Sequence, residues 1–381
     1  MQHFYFDHNA TTPVAPEVLG AMTSCLAEVY GNASSIHHFG QVAKQRLERA
    51  RRQIASRIGC HQKEIVFVSG GTEADNLALL GCVRNSRLGS RHVITSAIEH
   101  PAVLNTCAQL EREGIDVTYL PVASDGLVDP DDVRRALRPG TVLVSIMHAN
   151  NEIGTIQPIA EISRIARAAG VLMHSDGVQA MGRVPVNVKD LGVDLYAISG
   201  HKMYAPMGIG VLYVRDKTPI RSIAFGGHHE RERRPGTENV AGAVALGQAA
   251  DSLPQVDSRL RDRLEAGILA RVPSASVNAQ YSPRLPNTSS IRFDAIEGEP
   301  LVISLDLRGF AVSSGAACSS GAVEPSHVLT AIGLSTEDAR SCIRFSLGAS
   351  NTAEQVDALI DAVADSVVRL RKLSTMVPAH A

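Results

Sequence analysis

The chain has 381 residues, 44% of them hydrophobic, enough apolar material for a large core and a length that favours two domains over one. Lys plus Arg total 37 against 39 Asp plus Glu, and the resulting net charge of −2 supplies no broad attraction to nucleic acid or an anionic membrane. The opening "MQHFYFDHNATTP" lacks a basic segment followed by an apolar run, and no apolar stretch is long enough to span a bilayer, which predicts a cytoplasmic protein.

From residue 64 to about 215, "EIVFV", "HVITS", "DVTYLPV", "TVLVSIM", "VLMHS", "DLYAIS" and "GVLYV" alternate with amphipathic segments. That alternation predicts a mostly parallel sheet covered by helices. "VDPDDVRRAL" reads as a capped helix, with Asp129 before Pro130 at the first helical position, and "AEISRIARAAG" ends at a glycine stop. Near 250 two helical patterns, "AGAVALGQAADSL" and "RLRDRLEAGILARV", lead into "NTSSIRF", "EPLVISLDL", "SCIRFSL" and a last helix, "TAEQVDALIDAVADSVVRLRKL". This second region predicts a smaller α+β domain that shares a cleft with the first.

Three features carry chemistry. The strand "EIVFV" runs into Ser69-Gly70-Gly71-Thr72-Glu73 and a helix, whose free N–H groups suit an anion such as a phosphate. "VLMHSDGVQA" delivers Asp176 at a strand's C-terminal end, where open α/β sheets bind ligands, although an Asp there can also simply cap the next turn. "DLYAISGHKMYAP" does the same for Lys202, a nucleophilic amine if desolvated and an ordinary surface charge if not. Asp, Lys and a phosphate cradle together are what pyridoxal 5'-phosphate requires: a partner for the ring nitrogen, a Schiff-base lysine and an anion site.

The motifs "YFDHNATTP", "GNASSIHHFG", "SGGTEADN", "EHPAV", "ANNEIGTIQPI", "DGVQ", "SGHKMYAP", "RRPGTEN", "LPNTSSI", "SSGAACSSGAVEPSHV" and "IRFSLG" run nearly end to end. In that order they resemble the cysteine desulfurases of the NifS/IscS type, group I, in the class-V aminotransferase family and fold type I of the pyridoxal-phosphate enzymes. The resemblance implies an α/β fold with a mostly parallel seven-stranded sheet in a large domain, residues 15–255. A smaller α+β domain of residues 1–14 and 256–381 carries a mobile loop at about 313–325.

The resemblance also implies roles. Lys202 carries the cofactor and moves the substrate's α proton; Asp176 pairs with the ring nitrogen, Gln179 with the ring hydroxyl, and His100 stacks on the ring and assists proton transfer. Gly71, Thr72, Ser199 and His201 hold the phosphate, and Thr237 reaches the phosphate of a second subunit, which makes the working unit a homodimer. Asn151 and Arg344 bind the substrate carboxylate, and Cys318 attacks the sulfur of L-cysteine and carries it as a persulfide to an acceptor such as an iron–sulfur scaffold.

The remaining cysteines, Cys25, Cys60, Cys82, Cys107 and Cys342, show no CxxC pairing and read as packed residues, not disulfides or zinc ligands. "IHHFG" and "GGHHERERR" lack a recurring ligand spacing, so no metal is expected, and Arg231-Glu232-Arg233-Arg234 reads as a solvated face near the implied dimer contact. Met207 and Ala349-Ser350 depart from the usual family residues, and the tail "LRKLSTMVPAHA" is short, leaving scaffold docking open. A cysteine β-lyase, a selenocysteine lyase, an aminotransferase or an idle scaffold would share the fold; only the "SSGAAC" loop separates the enzymes among them.

Overall fold

The computed structural model describes residues 2–86, 89, 91–254, 256–314 and 325–373. After the short β1 (Phe4–Tyr5) come β2 (Ile65–Val68), β3 (His92–Ser96), β4 (Asp116–Leu120), β5 (Thr141–Ser145), β6 (Leu172–Asp176), β7 (Leu195–Ser199) and β8 (Gly210–Val214). These last seven are the seven apolar runs of the sequence, and they form one sheet in the order β2-β8-β7-β6-β5-β3-β4. β8 runs antiparallel to both of its neighbours, and the other pairs are parallel. β2, β3, β5, β7 and β8 are buried along their whole length, as expected for strands covered on both faces.

The predicted helices form where their signals lie. Asp129 caps Pro130–Ala136 by accepting from the Asp131 N–H at 2.8 Å, and Ile159–Ala168 buries Ile159, Ile162 and Ala166 on one face. In the C-terminal part β9 (Ala275–Val277), β10 (Thr288–Phe293) and β12 (Cys342–Ser346) make a three-stranded sheet, while β11 (Phe310–Ala311) pairs with β1. "EPLVISLDL" lies within the helix Gly298–Asp306 and the turn that ends it. A core of Phe6, Phe293, Phe310, Phe345, Leu359 and Val363 joins these strands to the last helix, Ala353–Leu373. No helix among the described residues is long and apolar enough to cross a membrane.

Of the run expected to be a solvated face, Arg231 and Glu232 are exposed and Arg233 and Arg234 half-buried, while the preceding residue, Glu230, turns into the core. Glu230, Arg231 and Glu232 all take left-handed φ values of 45°, 57° and 64°, conformations that cost an L-residue about 1–2 kcal/mol each. Glu230 is buried, accepts from both terminal nitrogens of Arg51 at 2.8 and 2.7 Å, and also takes the Phe67 N–H at 2.9 Å. Arg234 pairs with Glu73 at 3.0 Å. Arg51→Ala leaves the Glu230 charge buried without its cation, and a loss of about 3–5 kcal/mol is expected from denaturant unfolding. A loss below about 1 kcal/mol, the value of a surface pair, would contradict this assignment.

Candidate active site

Sheet register places the chemistry. Because β8 is antiparallel to both β2 and β7, Gly210 pairs with Val68 on one side and with Ser199 on the other. The C-terminal ends of β2 and β7 therefore stop at the same level, and a Cβ on Gly210 would sit 2.7 Å from the Gly70 Cα, so only glycine allows that approach. β6 and β7 are parallel with Asp176 opposite Ala197. Asp176, the turn Gly200–Lys202 and the start of the helix Gly71–Asn85 thus converge at one sheet edge.

They line a cavity of about 420 Å³ together with Asp7, Asn9, His100, Asn151, Gln179 and Arg344. Every described residue expected in this chain's own cavity lines it; Thr237, expected at the phosphate of a second subunit, is exposed on the stretch preceding the helix Val240–Asp251. Cys318 and the loop at 315–324 lie outside the described residues. The flanks are placed beside the site: Ser313 lines the cavity and exchanges backbone hydrogen bonds with Arg344 at 3.2 and 2.7 Å, and Ser326 donates to Glu152 at 2.5 Å. Met207 is exposed away from the cavity, and the Ala349 N–H donates to the Tyr204 hydroxyl at 2.9 Å.

The N-terminal segment holds the site from above. Lys202 Nζ donates to the carbonyls of Asn9 and Ala10 at 2.5 and 2.6 Å, and Gln179 Nε2 donates to the same Asn9 carbonyl at 3.0 Å. Burial, with Arg183 and Arg344 nearby, lowers the Lys202 pKa to about 7, so a large fraction of the amine is uncharged near neutrality. Burial chiefly lowers His201 as well, to about 4, so its ring is a neutral hydrogen-bonding group near neutrality. His100 opens onto the cavity and caps the helix Pro101–Arg112, its Nδ1 accepting from Ala102 N at 3.1 Å. Desolvation holds its pKa below the ordinary value even against the attraction of Asp176.

Beneath the cavity lies a cluster of carboxyls. Asp176 accepts from the Val178 N–H at 2.9 Å, and its pKa is raised by burial. Asp75 is buried, with Oδ1 3.5 Å from His174 Nε2, and burial plus the Asp176 charge raise it well above the usual carboxylate range. Burial pushes Glu99 to about 8. Arg344 and Lys202 line the same cavity, and Arg183 lies close enough to act on Lys202. The cavity is therefore lined by both acidic and basic groups, suited to a ligand that carries a basic nitrogen and anionic groups.

The residues present fit a pyridine phosphate. Gln179 Oε1 is buried with no partner among the described residues, an acceptor that a ring hydroxyl would satisfy. No side chain caps the helix Gly71–Asn85, leaving first-turn N–H groups for an anion, and a Cβ at Gly71 would come within 2.7 Å of Val178 Cγ2.

The aminotransferase class-V family matches residues 4–359. A cysteine desulfurase IscS from Dictyoglomus turgidum is 46% identical over 377 residues, covering 97% of this chain and 96% of its own. The chain belongs to the cysteine desulfurases of the class-V aminotransferase family. Among solved structures, a NifS-like protein superposes on this desulfurase with a TM-score of 0.90 at 36% identity, covering 97% of this chain and all of its own. SspA in complex with cysteine superposes with a TM-score of 0.82 at 37% identity, covering 90% and 98%. The fold type I architecture expected of this desulfurase is thus the one it has.

Four residues of the site escaped sequence reading: Asp7, Asn9, Asp75 and Arg183. The first three sit inside motifs, "YFDHNATTP" and "SGGTEADN", so their positions were marked though their roles were not. Arg183 had no signal; it is buried, donating to the Gln179 and His8 carbonyls at 2.8 and 3.1 Å.

Proposed function

We propose that this desulfurase converts L-cysteine to L-alanine with pyridoxal 5'-phosphate as cofactor, Cys318 receiving the sulfur as a persulfide for an acceptor protein that builds iron–sulfur clusters or thiolates another target. The observation that carries the reading is one cavity in which Asp176, Lys202 and an open helix start meet Arg344. Lys202 would hold the cofactor, Asp176 its ring nitrogen, Gln179 the ring hydroxyl, and Gly71, Thr72, Ser199 and His201 its phosphate. When bound, the group supplies an electron sink for a carbanion at the substrate's α carbon.

The protein's own groups do the rest. Arg344 and Asn151 orient the substrate carboxylate, with the planar guanidinium suited to it. Lys202, uncharged in good part at neutral pH, takes the α proton, and His100, neutral at that pH, passes protons at the cavity mouth. The Cys318 thiolate attacks the substrate sulfur; the carbon–sulfur bond breaks, a sulfur–sulfur bond forms, and the carbon fragment takes up protons to leave as alanine. L-Cysteine and one enzyme thiol thus become L-alanine and one persulfide. Thr237 serves the cavity of a second copy in a homodimer, and residues 15–255 form the cofactor domain against a small domain of residues 1–14 and 256–381.

Cys318→Ser, loaded with cofactor and mixed with L-cysteine, is expected to change the cofactor's absorbance as wild type does yet release alanine at least roughly 10²-fold more slowly, the loss of its nucleophile. Alanine release at the wild-type rate would remove Cys318 from the reaction.

A further inference from the structure

The guanidinium of Arg344 is already partly engaged. Arg344 is 7% exposed. Nη2 donates to Asp7 Oδ1 at 2.7 Å, Nη1 donates to the Asn151 carbonyl at 3.2 Å, and Nε is buried with no partner among the described residues. An unpartnered N–H at such depth is costly unless a ligand completes it. Asp7 lines the same cavity, and 21% of its side chain is exposed.

We propose that Asp7 is a positioning residue that sets which amino acids the site accepts: it holds Arg344 through Nη2, leaves Nε for the carboxylate of the incoming amino acid, and disfavours substrates with a second acidic group. The proposal rests on the reading that Arg344 binds the substrate carboxylate. Before substrate arrives, the Arg344–Asp7 pair is neutral. A monocarboxylate adds one negative charge beside that pair and gains the open N–H. A dicarboxylate brings a further charge into a partly desolvated cavity that already holds Asp7, where like charges repel far more than in water.

Asp7 also acts on the reacting amine. The groups around Lys202 include Arg183 and Arg344, which lower its pKa, and Asp7 and Asp176, which raise it, with His100 and His201 lining the same cavity. Removing Asp7 therefore moves the amine's midpoint down.

The test uses Asp7→Asn, with Asp7→Ser as a second variant should the first fail to fold, and Arg344→Gln as the control. Binding of L-alanine and of L-aspartate to the cofactor-loaded proteins is titrated through the cofactor's absorbance. In the cofactor-free proteins the pH midpoint for acylation of Lys202 is read by peptide mass spectrometry. In either Asp7 variant the preference for L-alanine over L-aspartate is expected to shrink roughly tenfold or more, and the acylation midpoint to fall below that of wild type. If Arg344→Gln weakens L-alanine binding while both Asp7 variants keep the wild-type preference and midpoint, the role of Asp7 is overturned and the reading of Arg344 stands. If Arg344→Gln leaves L-alanine binding unchanged, the reading of Arg344 falls and the proposal falls with it.

Discussion

Lys202→Ala is expected to stop alanine formation, with a rate loss at or beyond the roughly 10²–10⁴ that one positioned proton-transfer group contributes. Lys202 lines the cavity, its amine held by two backbone carbonyls and its pKa lowered to about 7. Its alanine variant removes the acceptor for the α proton and the anchor for the cofactor together. The fold should survive, because the hydrogen bonds the side chain makes are two, both to carbonyls of the N-terminal segment. A thermal midpoint within a few degrees of wild type, measured without cofactor, is therefore expected alongside the lost turnover. Turnover within tenfold of wild type in the same preparation would move the base elsewhere.

Asp176→Asn is expected to separate stability from catalysis. In the cofactor-free protein the folded-state pKa of Asp176 is raised above its unfolded value, chiefly by burial. A carboxyl of that kind is neutral in both states at low pH, and its ionisation costs folding free energy as pH rises from the unfolded value through the folded one. Asparagine keeps the shape and removes that cost. The cofactor-free variant should thus unfold at or above the wild-type temperature at pH 7–8, with the gap narrowing toward pH 4.5. Catalysis should move the other way, falling roughly 10²–10³-fold, the scale for one preorganised electrostatic group. A variant less stable than wild type at pH 8, or as active, would contradict the role given to this carboxylate.

The fold was legible because the apolar runs are short, β-branched and regularly interrupted: each of the seven between 64 and 215 is a strand of the large sheet. The antiparallel placement of β8 was not legible, since periodicity carries no direction, and yet it is β8 that levels Val68 with Ser199 across Gly210. Asp176 and Lys202 could be placed at strand ends by pattern alone. Asp7 and Asn9 could not, because they reach the site by a chain excursion that bridges Asp7 to Ser346, far along the sequence. Buried charge was hidden for a related reason: Glu230 directly precedes the charged run 231–234, and only its pairing with Arg51 on a distant helix makes it part of the core.

The fate of the substrate's sulfur distinguishes transfer to Cys318 from elimination. Incubating the cofactor-loaded protein with L-cysteine and excess thiol, then quantifying alanine, pyruvate and sulfide, tests that transfer most directly. Alanine equal to sulfide, without pyruvate, is the predicted result; pyruvate with ammonia in place of alanine would mean elimination at the same cavity and would contradict sulfur transfer to Cys318.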